Sequence, residues 1–225
     1  FGTDFVLQPT WSPDGSQIAY IAWNHPNMPW DQTELRLITL GFDSMPYAEH
    51  ITTLRDGASI IEPRFSPDGR YLAYVSDETG FNQIYIYDLE NETHRAITGA
   101  ESGAESETVY LQGVDVPPEH GKPAWVQGGR TYAWHGDNRI MFLRNQEGVS
   151  SVWHADLDAN HTEYLDVLTE YAFHDQLSLA PDGSIAVIAA SSRIPDRIVS
   201  HTGGTTRIHT RSTLENIPTE SLSEA

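Results

Sequence analysis

Few stretches of this chain concentrate side chains able to do chemistry. The densest is Trp23-Asn24-His25-Pro26-Asn27-Met28-Pro29-Trp30-Asp31, which gathers two amides, an imidazole, indoles and a carboxylate in nine residues. Two prolines stiffen it. Asn24, His25, Asn27, Trp30 and Asp31 are therefore candidates to shape a substrate chamber or dock a second domain, with fixed hydrogen bonds and an aromatic face. The same residues equally suit a structural loop whose Trp23, Met28 and Trp30 pack on a neighbouring element.

A second candidate is acidic: Glu101, Glu105, Glu107, Asp115 and Glu119 face a single Lys122, the one lysine of the chain. Glu105, Glu107 and Glu119 could hold the free amine of a peptide by charge-assisted pairing. A solvated acidic loop is the plainer alternative, and the carboxylates lack the alternating spacing of a compact calcium loop. Ten histidines raise the question of a metal. None pairs at i, i+4 on a helix, and His201 and His209 flank a predicted Gly203-Gly204 hairpin, so no metal or other cofactor is expected. Ser150-Ser151 and Ser191-Ser192 have no base at suggestive spacing. No Gly-x-Ser-x-Gly occurs, so the strand-to-helix turn that exposes a hydrolase nucleophile is absent and no catalytic residue is assigned.

These candidates must be positioned by a repeat. Ser12-Pro13-Asp14-Gly15 returns as Ser66-Pro67-Asp68-Gly69, as Ala180-Pro181-Asp182-Gly183 and, degenerate, as His135-Gly136-Asp137-Asn138. Proline presets φ, aspartate bonds back to the local backbone, and Gly or Asn accepts the left-handed conformation that follows, so each copy predicts a tight hairpin turn built on Asp14 and Gly15, Asp68 and Gly69, or Asp182 and Gly183. Trp11, Phe65, Trp134 and Leu179 precede the turns; Ile18–Ile21, Leu72–Val75, Ile140–Leu143 and Ile185–Ile188 follow them. These runs predict short buried strands. Ile84–Leu89 corresponds to Ser151–Leu157, each followed by a polar turn and then His94 or His161.

The turn aspartates recur at intervals of 54, 69 and 45 residues. A four-stranded unit of about 45–50 residues is the period of a propeller blade. The fold class is therefore all-β, a β-propeller of about four four-stranded blades: 1–57, 58–98, 129–170 and 171–215. An acidic insertion at 99–128 lengthens the middle interval. A β-sandwich with chance turns is the competing architecture. No segment shows helical periodicity over 12 residues.

Composition agrees. The 225 residues are 39% hydrophobic and 10% aromatic, enough for a packed all-β core. Thirteen Lys and Arg against 32 Asp and Glu leave a net charge of -19, which repels phosphate backbones and anionic lipid, so neither nucleic acid nor membrane is an expected partner. The absence of cysteine fits a cytoplasmic setting. No initiator Met is present, which suggests a fragment. An open run of blades leaves two apolar faces, so a homo-oligomer through those faces is expected.

The string Gln8-Pro9-Thr10-Trp11-Ser12-Pro13-Asp14-Gly15, together with Trp23–Asp31 and Thr33-Glu34-Leu35, closely resembles the propeller of the prolyl oligopeptidase family of serine peptidases, in its acylaminoacyl-peptidase and dipeptidyl-peptidase-like branch. Pro123-Ala124-Trp125-Val126 through Thr131-Tyr132-Ala133-Trp134 resembles the segment ahead of a later blade, and Ser221-Leu222-Ser223-Glu224 the linker, at 216–225, that leads into the catalytic domain. The resemblance implies the C-terminal part of a larger, seven-bladed propeller. It further implies an α/β-hydrolase domain as partner, missing here, and short peptides as substrates that the propeller gates and positions. A stand-alone propeller that binds proteins or ligands, as in the Tol system, is the alternative.

Overall fold

The computed structural model describes residues 2–41, 48–99, 117–125, 127–213, 218 and 221–222, with residues 48–51 described by backbone alone. Sixteen strands form four antiparallel sheets, each of four sequence-consecutive strands. No α-helix occurs among the described residues.

The first sheet contains β1 (Phe5–Trp11), β2 (Gln17–Trp23), β3 (Thr33–Leu40) and β4 (Ala48–Ala58). The second contains β5 (Ile60–Phe65), β6 (Tyr71–Ser76), β7 (Gln83–Asp88) and β8 (Thr93–Ala96). These two sheets belong to one compact unit, Phe1–Glu105 with Gly121–Gly129. The third sheet holds β9 (Tyr132–Trp134), β10 (Arg139–Gln146), β11 (Val149–Asp156) and β12 (His161–Leu165). The fourth holds β13 (Phe173–Leu179), β14 (Ile185–Ser191), β15 (Ile194–Thr202) and β16 (Thr205–Arg211). They form a second unit, Ser106–His120 with Arg130–Ala225. Four up-and-down sheets of this order are the blades of a β-propeller.

Inner strands are buried on both faces, which is why they read as apolar runs instead of alternating ones. Ala19 to Ala22 in β2 and Leu72 to Val75 in β6 are all buried. β3 lies farther from the core and does alternate, with Thr33, Leu35 and Leu37 inward. In the first unit, Thr33 pins one blade to the next: its hydroxyl donates to the Ile60 carbonyl at 2.8 Å and accepts the Ile60 N–H at 2.6 Å. In the second unit, Met141, Leu143 and Val152 of one blade pack with Leu177, Ile185, Val187 and Val199 of the other. Each large aliphatic side chain so buried contributes about 1.5–3 kcal/mol.

The repeated turns show why Ser-Pro-Asp-Gly recurs. The Ser12 hydroxyl donates to Asp14 Oδ1 (2.7 Å) and accepts the Gln17 N–H (2.8 Å), while Gly15, at φ 73°, donates to the Ser12 carbonyl. Ser66, Asp68, Gly69 and Tyr71 repeat this set. Asp182 accepts the Ser184 N–H, and Gly183 donates to the Ala180 carbonyl. The third blade departs from expectation. Its left-handed residue is Gly136 and not Asn138, and the His135 N–H donates to the Arg139 carbonyl.

A second correction concerns the histidines. Asp88 and Asp156 are equivalent, each capping its turn through Oδ1, yet Asp88 faces Thr93 whereas Asp156 faces His161. His94 and His161 are thus one residue out of register. A one-residue offset in a strand reverses the face. His94 therefore meets Tyr74, whose hydroxyl lies 2.8 Å from Nδ1, while His161 is exposed.

Candidate functional site

The loop from Asn24 to Gln32 joins β2 to β3, and local bonds hold it. Asn24 Oδ1 accepts the Asp4 N–H at 2.8 Å, and Asp4 Oδ2 accepts the His25 N–H at 3.0 Å. Asp31 Oδ2 accepts the Met28 N–H at 2.9 Å, and Asn27 donates its N–H to the Asn24 carbonyl. The Pro29 carbonyl accepts the Ser59 hydroxyl at 2.9 Å, which ties the loop to the second blade. Asn24 and Asp31 thus spend a side-chain oxygen on the shape of the loop.

What the loop presents is aromatic and apolar. Trp30 and Met28 are 42% and 43% exposed. Trp23 stacks on Phe5 of its own blade (5.3 Å between ring centroids), and His25 meets the edge of the same ring. Pro29, between Met28 and Trp30, is buried.

Of the acidic candidates, Glu105 and Glu107 lie outside the described residues, as do Glu101 and Asp115. Glu119 is half-buried, and its backbone exchanges two 2.8 Å hydrogen bonds with Asn145 at the end of β10. Among the described residues, no group of three His, Asp or Glu side chains could hold a metal ion.

The structure also brings out polar residues that sequence reasoning missed. Gln8, Glu62 and Gln176 all have positive φ, at 54°, 54° and 57°. Each lies four residues ahead of its turn, and each sits at a break in register of the first strand of its blade. A left-handed residue other than glycine costs about 1 kcal/mol or more, so its return in three blades marks a built-in bulge. The bulge amides find side-chain acceptors: the Glu62 N–H donates to Gln8 Oε1 (2.7 Å), and the Gln8 N–H to Gln127 Oε1 (3.0 Å). Arg64 donates to the Gly129 carbonyl at 2.7 Å and lies 3.8 Å from the Glu62 carboxylate, whose side chain is 2% exposed. The shared offset of a polar residue four positions before each turn was the available signal.

Known proteins share this geometry. No family model matches the chain. A puromycin-hydrolyzing peptidase of Mycobacterium tuberculosis has the same fold over 99% of this chain, with TM-score 0.81 and 28% identity. This chain covers 31% of that protein. Prolyl oligopeptidase B from Galerina marginata matches over 94% of this chain at TM-score 0.65, with 8% identity and 27% of that chain covered, a likeness of fold alone. At the sequence level, the Tol-Pal system protein TolB of Roseobacter denitrificans is 36% identical over 72 residues, 32% of this chain and 15% of that protein. The class is thus an all-β propeller segment. More particularly, it resembles the propeller segment of a prolyl oligopeptidase family serine peptidase.

Proposed function

We propose that this chain is the non-catalytic propeller region of a prolyl oligopeptidase-type serine peptidase, gating and positioning short peptides for an α/β-hydrolase domain. The observation that carries this reading is the match to the puromycin-hydrolyzing peptidase, which spans nearly the whole chain at 28% identity. The loop from Asn24 to Asp31 supports it, because a self-braced loop that offers Trp30 and Met28 suits contact with an apolar substrate or a docked domain. The gene supplies the test: a segment encoding a Gly-x-Ser-x-Gly hydrolase domain after Ala225 is expected, and its absence sinks the reading. The chain by itself should release no product from aminoacyl or acyl-aminoacyl chromogenic substrates, since it has no nucleophile elbow.

The likeness to TolB favours a second reading, a stand-alone propeller that binds other proteins or ligands. That likeness covers a third of the chain, and the Ser-Pro-Asp-Gly turn is a folding device that any propeller can use. A gene that ends without a hydrolase domain would make this reading the better one.

A further inference from the structure

Arg144 stands apart from the other buried charges. It lies near the end of β10 and is 7% exposed, yet among the described residues its one side-chain hydrogen bond is to a neutral group, Gln146 Oε1, at 3.0 Å. Its guanidinium stacks over the Trp153 ring, 4.5 Å from the centroid, and Nε is buried without a partner among the described residues. Burial lowers its pKa, and no carboxylate of the described residues opposes the shift. A guanidinium remains protonated regardless, so it stays a buried cation whose Nε–H no described residue accepts. Leaving such a group unneutralised is costly, and the cost is recovered when a carboxylate takes up the fork.

The surroundings narrow the carboxylate. Arg144 is opposite Ser151, Gln146 opposite Val149, and Trp153 opposite Tyr164, so strand alternation puts all six on one face of the blade. Val149 and Tyr164 are 54% and 45% exposed. The Trp153 indole N–H is held by the Ser151 hydroxyl at 2.9 Å, fixing the ring on which the guanidinium rests. A cation flanked by exposed apolar surface matches a carboxylate carried beside an apolar side chain.

We propose that Arg144 and Trp153 form a receptor for the C-terminal carboxylate of a short peptide ending in an apolar residue. The proposal is independent of whether the chain serves a peptidase or stands alone, because it concerns binding and not cleavage. The fork of Arg144 would take the two carboxylate oxygens, and Val149 and Tyr164 the terminal side chain.

The test is calorimetric titration of the chain with three probes: Gly-Gly-Phe, its C-terminal amide, and acetyl-Gly-Glu-Gly-amide. The free acid should bind at least about tenfold more tightly than either other probe, the scale of a charged hydrogen-bonded pair. Arg144→Met, which keeps the stem, should abolish that preference, and Arg144→Lys should restore only part of it because it lacks the fork. The Trp153 indole N–H resonance, assigned with Trp153→Phe, should shift with the acid and stay put with the amide. Equal binding of acid and amide overturns the proposal. So does equal binding of the internal glutamate peptide, which would point to an acidic protein surface, or a preference undiminished in Arg144→Met with its fold verified by circular dichroism.

Discussion

Arg64 and Arg144 pose the same electrostatic problem in the two units and meet it differently. Arg64, on the bulged strand β5, donates to the Gly129 carbonyl and faces the carboxylate of Glu62. Arg144, on the regular strand β10, is more deeply buried and has a tryptophan face and an amide oxygen. In the first unit charge neutralises charge inside the protein. In the second unit the contacts of Arg144 among the described residues include no anion. A buried cation whose counter-charge comes from its own fold is a structural part; one whose counter-charge must come from outside is a binding part.

The comparison is tested hardest at Arg64. Arg64→Met leaves the Glu62 carboxylate, with a 2% exposed side chain, without its facing cation. Removing the cation beside a buried carboxylate costs about 2 kcal/mol when its partner arginine is partly exposed. Urea unfolding followed by far-ultraviolet circular dichroism should show that loss, and a variant that unfolds at the wild-type midpoint would remove Arg64 from the structural role.

Gly129 should respond next. A Cβ there would approach Glu62 Oε1 to 2.9 Å, and the carboxylate has little room to yield. Gly129→Ala should cost about 1 kcal/mol in the same assay. In Gly129→Ala combined with Glu62→Ala, which removes the crowded carboxylate, a penalty that persists undiminished would show that the close approach is not to this side chain.

The second unit carries another ionisable group that burial keeps neutral. His174 is 2% exposed, with Nε2 3.3 Å from the Leu168 carbonyl and Nδ1 within reach of the Ser150 hydroxyl. Burial lowers its pKa below the usual 6.5, more than the hydrogen bonds from neighbouring backbone raise it. A depressed folded pKa means the unfolded chain takes up the proton first, so the stability from neutral His174 is full above about pH 6.5 and is lost as the pH falls through the folded value. Thermal midpoints measured from pH 7.5 to 5 should fall gently, and His174→Asn should flatten part of that slope. His94 in the first unit is shifted in the same direction, by burial and then by Arg55, so His94→Asn should remove a separate part.

The four blades were legible because a turn of fixed chemistry announces itself: Pro, Asp and Gly each supply something the hairpin needs, and the apolar runs on either side have strand length. The loop from Asn24 to Asp31 could be seen as a stiff polar segment. That Asn24 and Asp31 would spend oxygens on Asp4 and Met28 neighbours could not, since those bonds depend on which backbone groups the fold brings close. The bulges at Gln8, Glu62 and Gln176 escaped notice because left-handed geometry is read from glycine, and here the positions are polar and long. No sequence feature singles out Arg144. Its burial arises from neighbours that sequence spacing does not reveal.

The smallest expected effect is the one that separates the two arginines most sharply. Replacing an unneutralised buried cation with an apolar side chain of similar length removes a desolvation cost together with one amide hydrogen bond and the contact with Trp153. Those terms oppose one another. Arg144→Met should therefore leave the urea midpoint within about 1 kcal/mol of wild type, against the larger loss at Arg64. A loss at Arg144 as large as that at Arg64 would mean that the cation is held by the fold after all, and the contrast between the two units would dissolve. A stability near that of wild type, joined to a lost preference for a free peptide carboxylate, would show that β10 retains this arginine for what it binds.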